Sequence, residues 1–270
     1  MRVDNAGVEI DFDRTGDGFP VILLHGFPDT RRLWRHQVPA LVENGFSVIT
    51  PDLRGYGRSD KPEGVESYSI PLLATDVMAI LDHLGIERAN VVGHDWGAAV
   101  AWTIGSLLPD RTERLVALSV GHPSSFFRAG YAQLEKSWYM LLFQFVGTAE
   151  RWLSQDGWAK FREWAHHPDA QQVVSDMERS GSLTPALNYY RANVPPDALL
   201  QPQIEIPDIE APTMGVWSSG DVALTEVQMT GSSAYVKGPW RYERIDGPGH
   251  WLQLEAPEEI NGLLIDFLAG

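Results

Sequence analysis

Two kinds of hydrophobic pattern alternate along the chain. From Val8 to Arg14 apolar and polar residues alternate with period two, which predicts a half-exposed strand, and Thr15-Gly16-Asp17-Gly18 supplies turn chemistry after it. Val21–Leu24, Ser47–Thr50, Ala89–Val92 and Arg114–Val120 are instead short, mostly apolar runs, as expected for strands of a sheet covered on both faces. Between them residues 34–44, 70–84 and 98–108 have helical spacing; Gly85 is placed to cap the second of these helices and Pro109 stops the third. This alternation predicts an α/β fold, a mostly parallel sheet with helices on both sides.

From 124 to 206 the pattern changes to helical segments with no clear strand, and nearly half of the chain's aromatic residues fall there. Strands resume at Thr213–Trp217 and Tyr242–Ile245, and Glu258–Leu268 reads as a closing helix. The expected organisation is therefore a core of 1–123 and 207–270 interrupted by a helical lid over 124–206. An aromatic-rich lid suits the wall of an apolar pocket.

The 270 residues suffice for one large core with an insertion. With 21 Lys and Arg against 36 Asp and Glu the formal charge is −15, which disfavours nucleic acid and anionic membranes as partners. The absence of Cys excludes disulfides, thiol nucleophiles and thiolate metal sites. The acidic first twenty residues hold no signal-like apolar run, and no membrane-length run occurs, so a soluble, cytoplasmic protein is expected. His166-His167 and the other histidines lack metal-ligand spacing, so neither metal nor cofactor is expected.

The candidate chemistry centres on Gly93-His94-Asp95-Trp96-Gly97, between a predicted strand and a predicted helix. Glycines two residues before and after Asp95 let a strand turn sharply into a helix, the arrangement of a nucleophile elbow. A carboxylate at such a tip attacks electrophilic carbon and forms an ester. An ordinary tight turn uses the same string, so further residues must decide. Asp221, in the loop after the strand ending near Trp217, is a candidate orienting acid, while Gly121–Ser125 offers no carboxylate. His250, in a Gly-Pro-Gly-His loop after the last strand, is a candidate general base. His94 is expected to be structural, its side chain pointing away from the elbow tip.

With His25-Gly26-Phe27-Pro28, the Asp95 elbow, Gly220-Asp221 and Gly249-His250-Trp251 in place, the chain resembles the α/β-hydrolases, and within them the epoxide hydrolases. In that family nucleophile, acid and histidine follow each other in this order. The resemblance extends to the lid, where Ser137-Trp138-Tyr139 and Asn188-Tyr189-Tyr190-Arg191 match the contexts of two tyrosines that hold the epoxide oxygen. It implies Asp95 as nucleophile, His250 as base oriented by Asp221, and Tyr139 and Tyr190 as proton donors. The backbone N–H groups of Phe27 and Trp96 would form the oxyanion hole, and Phe27, Trp96, Trp138, Tyr189 and Trp251 would line the pocket. A cis Phe27–Pro28 peptide and a sparsely populated backbone conformation at Asp95 are expected. The implied reaction takes an apolar epoxide and water to a vicinal diol.

Haloalkane dehalogenases share the attacking Asp. However, they commonly carry Asn where this chain has Phe27, and they lack the epoxide-type tyrosines. Fluoroacetate dehalogenases bind a carboxylate through arginines at the positions of Trp96 and Ala99. A ligand-binding relative without catalysis is the non-enzymatic alternative, and three chemically competent triad residues weigh against it.

Overall fold

Strands β1 (Arg2–Asn5), β2 (Val8–Thr15), β3 (Phe19–Leu24), β4 (Phe46–Pro51), β5 (Ala89–His94), β6 (Thr112–Leu118), β7 (Thr213–Ser218) and β8 (Trp240–Ile245) form one sheet in the computed structural model, which describes residues 1–199 and 206–270. Their order is β1-β2-β4-β3-β5-β6-β7-β8. The first two strands pair antiparallel and everything from β3 onward is parallel. Strand β1 is an addition to the sequence reading; it is half exposed and largely polar, so no apolar pattern marks it.

The chain reverses its direction of travel across the sheet between β3 and β5, with β4 lying outside β3. Loops following adjacent parallel strands at such a switch point diverge, and a crevice opens between them. The loops after β3 and β5 flank this crevice. Those after β7 and β8 leave from the same edge, because all four strands run the same way.

Helices α1 (Gln37–Glu43), α2 (Ile70–His83) and α3 (Trp96–Leu107) connect the first strands. The second packs on the third and buries Leu73, Val77, Ile80 and Leu81, the one-sided spacing of an amphipathic helix. In α3 every residue from Trp96 to Ser106 is buried, and most are small. Its Gly105 permits that close fit, since a Cβ there would stand 2.6 Å from Leu115 Cδ1.

The insertion between β6 and β7 contains α4 (Pro123–Arg128), α5 (Tyr131–Lys136), α6 (Trp138–Phe143), α7 (Thr148–Ala165, kinked at Gln155–Trp158), α8 (Ala170–Ser180) and α9 (Leu183–Asn193). The expectation of a helical segment extends over 200–205, which lie outside the described residues. After β7 come α10 (Glu226–Thr230), α11 (Leu252–Glu255) and α12 (Pro257–Ala269), the last packed on α1. Among the described residues no helix is long and apolar enough to cross a membrane.

Candidate active site

Asp95 joins β5 to α3 with φ 53° and ψ −121°, a strained conformation for a residue with a side chain. Contact explains the flanking glycines. A Cβ on Gly93 would collide with the Gly97 carbonyl, and one on Gly97 with the carbonyls of Leu24 and His25. The helix begins at once, with the Asp95 carbonyl accepting from Ala98 N at 3.0 Å and Ala99 N at 3.2 Å. The carboxylate is thereby thrust off the sheet edge.

The loop after β3 passes against this elbow. A Cβ on Gly26 would overlap the Asp95 carboxylate and reach 2.7 Å from Trp96 N. The next residue turns its amide inward: Phe27 N–H donates to Asp95 Oδ1 at 2.7 Å, and the Phe27–Pro28 peptide is cis. Phe27 N and Trp96 N thus both lie beside the carboxylate, and only the first hydrogen-bonds to it here.

His250 Nδ1 stands 2.9 Å from Asp221 Oδ2, while its Nε2 lies 3.6 Å from Asp95 Oδ2. The second distance exceeds a direct hydrogen bond and leaves room for small movements. The other Asp221 oxygen accepts the amides of Ala223 at 2.8 Å and Leu224 at 2.9 Å. Burial opposes the Asp221 anion, but His250 and these amides outweigh it and hold its pKa below the ordinary value. Burial likewise opposes a His250 cation, yet the charges of Asp221 and Asp95 push its pKa up to about 10.

Two cavities meet over Asp95. The larger, about 310 Å³, includes Phe27, Trp138, Trp164, His250 and Trp251 in its wall. The smaller, about 90 Å³, is lined mainly by apolar groups such as Trp96, Ala99, Phe126, Phe127 and Met140. Three residues line both: Asp95, Tyr139 and Tyr190. Tyr139 comes from α6 and Tyr190 from α9, their rings 5.9 Å apart at 79°. Burial first, and then the Asp95 charge, raises both phenol pKa values well above the ordinary one, so both stay protonated at neutral pH.

A family model for the alpha/beta hydrolase fold matches residues 20–257. Epoxide hydrolase A of Mycobacterium tuberculosis is 33% identical over 314 aligned residues, which cover 99% of this chain and 96% of that one. The chain belongs to the α/β-hydrolase family, among the epoxide hydrolases. The structure of Bacillus megaterium epoxide hydrolase in complex with an inhibitor superposes with a TM-score of 0.91 at 29% identity, covering 100% of both chains. Epoxide Hydrolase A from Mycobacterium thermoresistibile gives 0.84 at 32% identity, covering 100% of this chain and 98% of that one.

In this α/β-hydrolase the Asn-Tyr-Tyr-Arg stretch divides its labour. Arg191 donates to Asn188 Oδ1 at 3.0 Å, to the Phe143 carbonyl at 2.9 Å and to the Glu150 carboxylate, fastening α9 inside the insertion. Tyr190 then faces Asp95. The expectation that Tyr189 lines the pocket is not met: it lies about 100° around the helix. Its hydroxyl donates to the Arg54 carbonyl at 2.5 Å and its ring packs on Tyr56, Tyr68 and Trp96, outside both cavities. Trp138 lies at the rim, half exposed.

The fold also brings in His94, expected to be structural, and residues that no motif marks. His94 does not face the cavities, but its Nε2 bonds the His250 carbonyl at 2.9 Å, and Ser119 Oγ donates to the same oxygen at 3.0 Å. Buried Asp29 accepts Trp251 Nε1 at 2.9 Å and lies 3.2 Å from His167 Nε2, linking the loop after β3, the His250 loop and the insertion. Asp29 and Trp251 are 222 positions apart, so no local pattern announces them.

Proposed function

We propose that this chain hydrolyses apolar epoxides to vicinal diols through an ester on Asp95, with residues 124–206 acting as a lid. The observation that carries the reading is that both cavities converge on Asp95, Tyr139 and Tyr190 alone. A nucleophile on one wall faces two protonated phenols on the other, which is what ring opening requires. One group must attack carbon while another protonates the departing oxygen.

Asp95 Oδ2 attacks an epoxide carbon, the C–O bond breaks, and a phenol gives its proton to the emerging alkoxide, which is far more basic than a phenolate. The phenolate recovers its proton through water from the His250 imidazolium. Esterification removes the Asp95 charge, one of the two anions that raise His250, so its proton affinity falls and neutral imidazole becomes available. That imidazole takes a proton from water, whose oxygen attacks the Asp95 ester carbonyl. The developing oxyanion is met by Phe27 N–H and Trp96 N–H, the former already on Oδ1. Collapse breaks the ester C–O bond, the added hydroxyl gives its proton to the departing diol oxygen, and the carboxylate is restored with His250 protonated as at the start.

The two cavities also bear on substrate shape. A space of about 90 Å³ is smaller than the roughly 150 Å³ that holds benzene, so the smaller arm suits a short alkyl group and the larger one an aryl or branched substituent.

A single turnover in oxygen-18 water with enzyme in excess tests the ester. The first diol should carry unlabelled oxygen from Asp95, with label appearing on the enzyme, and His250→Gln should accumulate a mass adduct on the Asp95 peptide. Label in the first diol and no adduct would establish direct water attack instead.

A further inference from the structure

We propose that Gln133 is a positioning residue that holds the Tyr139 phenol over Asp95 by tying α5 to the core loop 221–225; this rests on reading Tyr139 as a proton donor. Gln133 is only 2% exposed. Its Nε2 donates to Ser137 Oγ at 2.8 Å and to the Ala223 carbonyl at 2.9 Å. Its Oε1 accepts from Thr225 N and Thr225 Oγ1, both at 2.9 Å. A primary amide has two N–H donors and two acceptor lone pairs, so every bonding position is used.

These partners join the two halves of the site. Ser137 immediately precedes α6, and Tyr139 is the second residue of that helix. On the other side, Ala223 N–H donates to Asp221 Oδ1 at 2.8 Å. One side chain therefore stands between the helix presenting the phenol and the loop presenting the acid. Lys136 reinforces the junction, its Nζ donating to the carbonyls of Asp221 and Leu224. Among the described residues the Tyr139 hydroxyl makes no hydrogen bond to protein, and its ring is located by packing on Phe143, Trp164 and Tyr190, all from the insertion. The attachment of α5 to the core consequently sets the distance from phenol to Asp95.

The amide is hard to replace. Glutamate lacks the N–H donors that Ser137 and Ala223 accept, leucine leaves the Thr225 amide and Ala223 carbonyl buried without partners, and asparagine is one methylene too short to span the gap.

A double-mutant cycle tests the role, because two residues acting through one contact give non-additive losses. Gln133→Leu is made in the wild-type chain and in Tyr139→Phe, and ester formation and ester hydrolysis are timed separately by rapid quench and mass analysis with styrene oxide. Gln133→Leu should slow ester formation about tenfold or more, since displacing a reacting group by an ångström costs up to about a hundredfold. In the Tyr139→Phe background it should cost less than about twofold, because the hydroxyl it positions is gone. Hydrolysis of the ester should stay within about twofold of wild type, as Asp221 keeps its amide and Lys136 contacts. Thr225→Val removes a single bond and should repeat the pattern at smaller size, which covers the case in which Gln133→Leu does not fold. Equal losses in both backgrounds, or a loss confined to hydrolysis, would overturn the positioning role while leaving the epoxide reading intact. Wild-type chain yielding neither diol nor adduct overturns both.

Discussion

Asp221→Asn isolates what the acid does for His250, and the hydrogen bonds determine the direction of the effect. In the native carboxylate one oxygen accepts the amides of Ala223 and Leu224, while the other faces His250 Nδ1. An asparagine in this place must keep its carbonyl oxygen toward the two amides, because an NH2 group there would meet two donors. Its NH2 then faces Nδ1 and donates to it. The imidazole is forced into the tautomer with hydrogen on Nε2, the nitrogen turned toward Asp95, and it cannot accept a proton from water. A wrong-tautomer histidine costs serine-protease triads about 10⁴ in rate, or roughly 5.5 kcal/mol at about 1.36 kcal/mol per decade. Ester hydrolysis should fall by that order, whereas ester formation, which needs no base, should stay within about threefold. The assay is rapid-quench mass analysis of the Asp95 peptide: the variant should load to near stoichiometry within the wild-type loading time and discharge over hours. Discharge at more than a tenth of the wild-type rate, or failure to load, would refute the tautomer argument.

Two titration predictions follow from the buried histidines. Asp95→Asn is an uncharged mimic of the ester, so it should lower the His250 pKa from its raised position near 10, measurable by nitrogen-15 NMR of the imidazole; an unchanged value would deny Asp95 its part in that shift. His94 and His122 are both held down to about 4, chiefly by burial, so an unfolded chain binds more protons between about 6.5 and 4. Their contribution to stability is present above 6.5 and lost as pH falls through 4, on the order of 3 kcal/mol each. His122→Asn keeps a helix-capping acceptor for Ser124 N–H but cannot titrate, and denaturant midpoints between pH 7 and 4 should fall less steeply for it. A slope equal to wild type would show that His122 does not couple to folding.

The sequence alone determined the class of fold and singled out the candidate site residues, because both are written in local patterns. Apolar runs of strand length alternating with helical spacing implied the parallel sheet. Asp95 could be singled out because an elbow needs small residues on both sides of one reactive residue within five positions. Loop positions after strands located Asp221 and His250, since parallel strands deliver all their following loops to one edge. The insertion was legible as a loss of strand pattern, whereas polar, half-exposed β1 left no such trace.

Tertiary structure decided whatever depends on direction and on partners far apart in the chain. Tyr189 and Tyr190 are adjacent and chemically alike, and only the docking of α9, set by Arg191 inside the insertion and by Tyr189 on the Arg54 carbonyl, turns one to Asp95 and the other away. Gln133 looks like any helix-surface glutamine until the loop 221–225 closes over it. Likewise His94 became a support for the His250 backbone, and Asp29 a junction of three segments, through contacts spanning 156 and 222 positions. Hydrophobic periodicity records which face of an element is buried, but not which polar group meets another inside. That pairing is set by the packing of whole elements, because a buried donor or acceptor must be satisfied by whatever group the fold brings within about 3 Å.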